Sequence, residues 1–139
     1  QLVPLCNMIV DHCGEDRTVH LIYGATPTDD REKVRQLVEK DDNAVIVASY
    51  GTFSTGINIK NLHNVIFASP SKSRVRNLQS IGRVLRKGKN KVKATLYDIS
   101  DDCSTKNRRN YTLNHFIERI KTYNEENFNY EIITIQLKV

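Results

Sequence analysis

Residues 44–59 read Ala44-Val45-Ile46-Val47-Ala48-Ser49-Tyr50-Gly51-Thr52-Phe53-Ser54-Thr55-Gly56-Ile57-Asn58-Ile59. The first five are continuously apolar and rich in branched side chains, the pattern of a strand buried on both faces of a parallel sheet. Hydroxyls and glycines then crowd what reads as a loop across 49–58. Val65-Ile66-Phe67-Ala68 repeats the buried-strand pattern. Val19-His20-Leu21-Ile22-Tyr23 and Ala94-Thr95-Leu96-Tyr97-Asp98-Ile99 supply two more strands. Helical spacing fills the intervals. Leu2 to Cys13 carries Pro4 in its first turn. Thr28 precedes Asp29, Asp30 and Arg31, and Glu32 leads into Val34, Leu37 and Val38, a helix start signal. Leu78, Ile81, Val84 and Leu85 mark an amphipathic face across 73–87, stopped by Gly88, and Tyr111, His115, Phe116, Ile120 and Tyr123 mark another across 110–126. Tyr130 to Val139 alternates weakly and predicts an edge strand, while Ser100 to Asn110 is polar and predicts a loop. Strand and helix in alternation give an α/β fold: a mostly parallel sheet with helices on both faces and right-handed crossovers.

The 139 residues fit one domain, 1–139, and 39% hydrophobic with 27% charged is ordinary for a globular chain. No apolar run approaches the ~20 residues that span a bilayer. The chain opens without Met, so a fragment of a longer protein is expected. Cys6, Cys13 and Cys103 have no paired metal or redox spacing and read as free thiols of a cytoplasmic protein.

The net charge of +5 is unevenly spread. Residues 1–42 hold five basic and nine acidic side chains, and residues 98–139 hold six and seven. Residues 43–97 hold ten basic side chains and no acid: Lys60, Lys72, Arg74, Arg76, Arg83, Arg86, Lys87, Lys89, Lys91 and Lys93. Such a block points to a polyanion, either nucleotide phosphates or a nucleic-acid backbone. In folds of this class ligands lie beyond the carboxyl ends of the strands, so the loops 24–28, 49–58, 69–73 and 98–110 are where function should sit.

Gln79-Ser80-Ile81-Gly82-Arg83-Val84-Leu85-Arg86 fits QxxGRxxR. Arg83 and Arg86, three apart, share a helix face and can reach one anionic centre, and Gln79 joins them. Gly82 inside a helix costs about 1 kcal/mol against Ala, which suggests close approach by a backbone or a phosphate. The hydroxyl-rich stretch after Ala48 suits phosphate oxygens without base selectivity.

Together and in this order, these stretches resemble motifs V and VI of superfamily 2 helicases and translocases. Tyr23-Gly24-Ala25-Thr26 with Asp29-Asp30-Arg31 resembles the segment upstream of motif V. Tyr97-Asp98, Asp101-Asp102 and the helix ending Arg119 to Glu126 resemble the tail of that family's second RecA-like domain. Within the superfamily, ASYGTFSTGINIKNLHNVIF and QSIGRVLRKGKNK are most similar to phage recombination and fork-remodelling helicases.

The resemblance implies a C-terminal motor domain of an ATP-dependent DNA helicase. Arg86 would be the arginine finger on the γ-phosphate, Arg83 its partner, and Gln79 an organiser of the nucleotide site. Gly56 and Asn58 match motif V's G-x-D, with an amide where the family has an acid; with Gly82 they would meet the nucleotide. Ser49 and Thr55 match hydroxyls that hold the nucleic-acid backbone; Lys72 and Tyr50 are further candidate contacts, Tyr50 and Phe53 by stacking or by packing on a neighbouring helix. ATP and Mg2+ would be bound mainly by an N-terminal RecA-like half, and the partner would be branched or single-stranded DNA.

There is no GxxxxGK[ST] and no DExH or DExD in the chain, so alone it is expected to hydrolyse no ATP. Asp101 and Asp102 read as solvent-facing or turn-forming, His20 and His115 as packing residues, His12 and His63 as exposed. Lys87 to Lys93 either track phosphates or form a solvated hairpin. Two rival readings stand: a non-catalytic nucleic-acid-binding module of the same fold, and the translocation subunit of a restriction or remodelling enzyme.

Overall fold

The computed structural model describes residues 2–54, 59–69, 94–105, 108 and 110–137, the side chains of Phe53 and Ser54 excepted. Eight elements follow in order: α1 (Leu2–Cys13), β1 (Val19–Ile22), α2 (Thr28–Val38), β2 (Val45–Ala48), α3 (Tyr50–Ser54), β3 (Asn64–Phe67), β4 (Thr95–Asp98) and α4 (Tyr111–Glu125). The helix expected across 73–87 lies outside the described residues. Among those described, the strands pair as β1 with β2 and β3 with β4. β1 and β2 are parallel, with Val19 opposite Val45 and Ile22 opposite Ala48. Between β3 and β4, Thr95 N donates to His63 O (2.9 Å) and Ile99 N to Phe67 O (3.2 Å). The two bonds advance in step along both chains, which is the parallel sense.

Two compact units are present, one running to Val65 and including Thr95, the other from Ile66 and including Leu96 onward. In the first, Ile22, Val38 and Ile59 are buried at 0%, 5% and 0% exposure, and Val34, Ala44, Ile46, Ala48 and Leu62 pack around them. α1 lies against β1 and β2, with Cys6 as its buried residue. Its end is set by Gly14, whose φ of +56° lets its amide reach back to Val10 O at 3.0 Å. This is a left-handed cap that satisfies a terminal carbonyl, a conformation that glycine adopts at no steric cost. α2 begins differently from the sequence expectation. Thr28 is its first residue, Pro27 precedes it, and no side chain caps the end. Proline at 27 holds its φ at −57°, already near the helical value, so the turn starts without a hydroxyl cap.

In the second unit α4 starts at Asn110, whose Oδ1 accepts from the amides of Thr112 (3.1 Å) and Leu113 (3.2 Å). It ends in a paired return: Asn127 N donates to Asn124 O and Phe128 N to Tyr123 O (3.1 and 2.9 Å), with Asn127 at φ 54°. That is a Schellman ending, and the ring contact between Tyr123 and Phe128 (centroids 6.1 Å apart) supplies its usual apolar clasp. The buried charge of this unit is Arg119, 1% exposed. Its Nε donates to Asp98 Oδ2 at 2.7 Å, and Tyr123 Oη donates to the same oxygen at 2.6 Å. Burial, then the carboxylate beside it, pushes the Tyr123 hydroxyl well above its ordinary pKa. The Arg119 guanidinium also stands 5.7 Å from the centroid of the Phe116 ring.

Three expectations need correction. Residues 50–54 of the expected loop form the short helix α3, because Tyr50 to Ser54 hold no residue that bars a helical turn and the turn lets Thr52 be buried. β3 is not buried on both faces: Phe67 is 8% exposed but Ile66 is 62% exposed, since neighbouring strand residues face opposite ways and one face alone is covered. Residues 130–137 carry no strand. Ile132, Ile133, Ile135 and Leu137 are all at least 60% exposed, and alternation makes a strand only where a partner edge meets it.

Gly14→Ala should destabilise the chain by about 1 kcal/mol through backbone strain alone, because a Cβ there would meet nothing within 4 Å. Gly24→Ala, with equal room and no positive φ, should stay within about 0.5 kcal/mol. Denaturant unfolding distinguishes them. Arg119→Met should cost about 3–5 kcal/mol by leaving Asp98 buried without its cation, and a second change, Asp98→Leu, should recover much of that loss.

Candidate nucleic-acid interface

The carboxyl ends of β1 and β2 lie side by side because Ile22 is paired with Ala48. Ser49 continues the pairing by one bond, its amide donating to Ile22 O at 3.0 Å. The chain then turns directly into α3. One helical turn on, Thr52 presents its hydroxyl 2.7 Å from Ser49 Oγ. Thr52 is 5% exposed, so its hydroxyl is out of reach of bulk water. With Thr52 as the donor, the Ser49 hydrogen points away from the pair. On half-buried Ser49 that hydrogen can be offered to an incoming oxygen, and Thr52 fixes the rotamer from which it is offered.

The neighbouring loop after β1 is braced from within. Tyr23 N donates to Thr26 Oγ1 (3.1 Å), and Thr26 N donates back to Tyr23 O (2.9 Å). From α2, Arg31 closes the loop with two further bonds, Nε to Thr26 O (2.8 Å) and Nη2 to Gly24 O (2.9 Å). A guanidinium spanning two carbonyls holds a turn as a fork holds a carboxylate, through geometry that a lysine could not reproduce. The loop is therefore fixed without any bound ligand.

On the 98–110 loop, Asp102 Oδ1 accepts from Ser104 N (3.1 Å) and Asn110 Nδ2 (2.9 Å). The Ser104 and Asn110 donors hold its carboxyl below the usual range. Asp101 and Asp102 are exposed, the solvent-facing placement their sequence suggested. Among the described residues no three His, Cys, Asp or Glu side chains gather as metal ligands, and no helix is long and apolar enough to cross a membrane.

Of the residues singled out in the sequence, Ser49 and Tyr50 are described, and they stand together where β2 passes into α3. Tyr50 is half-buried. Thr55, Gly56, Asn58, Lys72, Gln79, Gly82, Arg83 and Arg86 lie outside the described residues. Sequence reasoning missed Thr52 and gave Arg31 no task. A hydroxyl three positions after Ser49 was the available signal for the first, legible only once a helix replaces the loop. For Arg31 no local signal existed, since its partners are backbone carbonyls.

Comparison of the sequence with known proteins matches the chain to a family. The helicase conserved C-terminal domain matches residues 3–88. The ATP-dependent DNA helicase uvsW of Enterobacteria phage T4 is 42% identical over 86% of this chain and 26% of its own length. A protein named "Putative helicase 22", of Sulfolobus islandicus filamentous virus, is 34% identical over 49% of this chain and 12% of its own. The chain thus spans about a quarter of the first relative and about an eighth of the second. No solved structure matches it. The braced loops at the ends of two parallel strands, the α/β order of elements and the match over residues 3–88 converge: the chain belongs to the helicase conserved C-terminal domain family, the RecA-like second domain of superfamily 2 helicases.

Proposed function

We propose that this chain, residues 1–139, is the second motor domain of an ATP-dependent DNA helicase or translocase that acts on branched or single-stranded DNA. The observation that carries the reading is Ser49. Its hydroxyl is tied to buried Thr52 and its amide to β1, at the carboxyl end of a parallel strand, in the stretch that leads on to Gly56 and Asn58. A hydroxyl fixed in this way can grip a phosphate oxygen regardless of base, as a motor stepping along a strand requires. Thr55, Tyr50 and Lys72 complete the proposed nucleic-acid contacts.

The nucleotide side of the proposal rests on spacing. Gln79, Gly82, Arg83 and Arg86 form one QxxGRxxR run, and Gly56 with Asn58 precedes it by about 20 residues. No P-loop and no DExH or DExD stands in these residues, so ATP with Mg2+ would be held mainly by the N-terminal RecA-like domain of the same protein. Phosphoryl transfer is the chemistry that the nucleotide supplies when bound. This chain's part is charge placement, with Arg86 set where the γ-phosphoryl oxygens gain charge and Arg83 beside it. Arginine suits the task because it stays ionised and forks onto two oxygens. Supplying it from a second domain makes turnover depend on closure, so each closure can advance a strand held by Ser49 and its neighbours.

In the full-length protein, Arg86→Ala should retain ATP binding while DNA-stimulated hydrolysis falls by about 10³-fold or more. Turnover within a few-fold of the unsubstituted protein would refute the assignment. Ser49→Ala should weaken DNA binding about 10- to 150-fold, in line with one lost hydrogen bond to a charged group. Thr52→Val should act in the same direction, because it frees the Ser49 rotamer. Fluorescence anisotropy with labelled oligonucleotides checks both, and Thr52→Val binding as tightly as the parent would refute the orienting role.

A further inference from the structure

We propose that Tyr23 is a base-stacking contact for single-stranded DNA, placed beside the Ser49 hydroxyl so that one strand is held by a ring and a phosphate grip together. The inference rests on the helicase reading above and adds a contact which that reading does not contain. Tyr23 directly follows Ile22, as Ser49 directly follows Ala48, and Ile22 and Ala48 are register partners. The two residues therefore leave the same sheet edge one strand spacing apart, ~4.8 Å between backbones.

An aromatic at a strand end usually turns inward to cover a neighbouring helix. Tyr23 does not. It is 46% exposed, whereas Ile22 immediately before it is 0% exposed. The exposed ring is also not carried on a loose loop. Its own amide and carbonyl are both engaged by Thr26, and Arg31 ties the same turn at Gly24 O and Thr26 O. Next to it Gly24 leaves open space, since a Cβ there would meet nothing within 4 Å. A rigid backbone, a half-exposed ring and an adjacent clearing together make a stacking platform, because the entropy of ordering the turn is already met before a base arrives. None of the hydrogen bonds that build the turn uses the Tyr23 side chain, so the ring can be removed without dismantling its support.

The test uses the full-length protein and a single-stranded oligothymidylate carrying one 2-aminopurine. Tyr23→Ala should weaken binding about 5- to 100-fold, the range for loss of one base–aromatic stack, while Tyr23→Phe stays near the parent. An oligonucleotide with abasic sites should bind the parent and Tyr23→Ala alike, and the salt dependence of binding should keep its slope, since no phosphate contact is lost. Quenching of 2-aminopurine on binding should be present in the parent and in Tyr23→Phe and reduced in Tyr23→Ala. Failure of the phenylalanine variant to retain affinity, or an equal loss on abasic DNA, would overturn stacking. If Ser49→Ala weakens binding and Tyr23→Ala does not, the stacking role alone falls. If the parent binds no DNA, the helicase reading falls with it.

Discussion

The parallel pairing of β1 with β2 is the constraint on which the interface depends. It is set at both ends by main-chain bonds, Val45 N to Thr18 O (2.8 Å) and Ser49 N to Ile22 O (3.0 Å). Ile22 and Val47 are both buried, on opposite faces of the pair, and a slip of one residue would turn the buried side chain of one strand onto the wrong face. The apolar cluster of Ile22, Val38 and Ile59 therefore enforces the register, and the register in turn decides which residues emerge at the carboxyl edge. Core packing and site geometry are one problem here. A hydroxyl and an aromatic arrive side by side at the rim because two short apolar strands can bury their side chains in one alignment only.

The second unit solves a different problem. Its centre holds an ion pair whose members are 1% and 8% exposed, with Tyr123 as a third member. A pair buried this deeply need add little net stability, since desolvation offsets most of the attraction. What it does is restrict arrangement. Asp98 Oδ2 must meet both Arg119 and Tyr123, four residues apart on α4, so the helix can neither rotate nor slide against β4 without stranding a charge. A purely apolar contact would tolerate such slippage far better. The Schellman ending then carries the chain back over Tyr123 through Phe128 and Tyr130, whose rings lie 6.1 and 6.0 Å from it.

Much of this was written locally in the sequence. β1 and β2 were each legible to within a residue because apolar runs of four or five leave little choice of element. α2 and α4 were legible from helical periodicity, whereas the cap that Asn110 places on α4 was not read from the sequence. What escaped the reading depended on partners distant in the chain. Asp98 and Arg119 are 21 residues apart, and nothing in either neighbourhood announces the other. The reverse error occurred at 130–137, where Ile133, Ile135 and Leu137 give a strand pattern, but a strand also needs an edge to pair with. For Tyr50 to Ser54 glycine and hydroxyls suggested a loop, whereas the buried side chain of Thr52 favours a helical turn.

Charge supplies the last link between fold and function. Three of the nine acidic residues of 1–42, Asp30, Glu32 and Glu39, are paired at short range along α2 and its C-cap. Lys33 meets Asp30 at 3.1 Å, and Arg35 meets Glu32 at 2.6 Å and Glu39 at 2.8 Å. The Arg35 bond, then that from Gln36, lowers the Glu32 carboxyl to about 2, so it stays ionised and paired across the working range of pH. Exposed pairs of this kind contribute little to stability, but they cancel the field of the helix within a few ångströms. The ten cations of 43–97 have no such acids among them. Under the proposed reading Asn58 would stand where motif V has an acid, and an amide there keeps the block free of carboxylates. A strand of phosphates meeting this block would gain from that composition, because any carboxylate within a Debye length of the strand would weaken every contact around it.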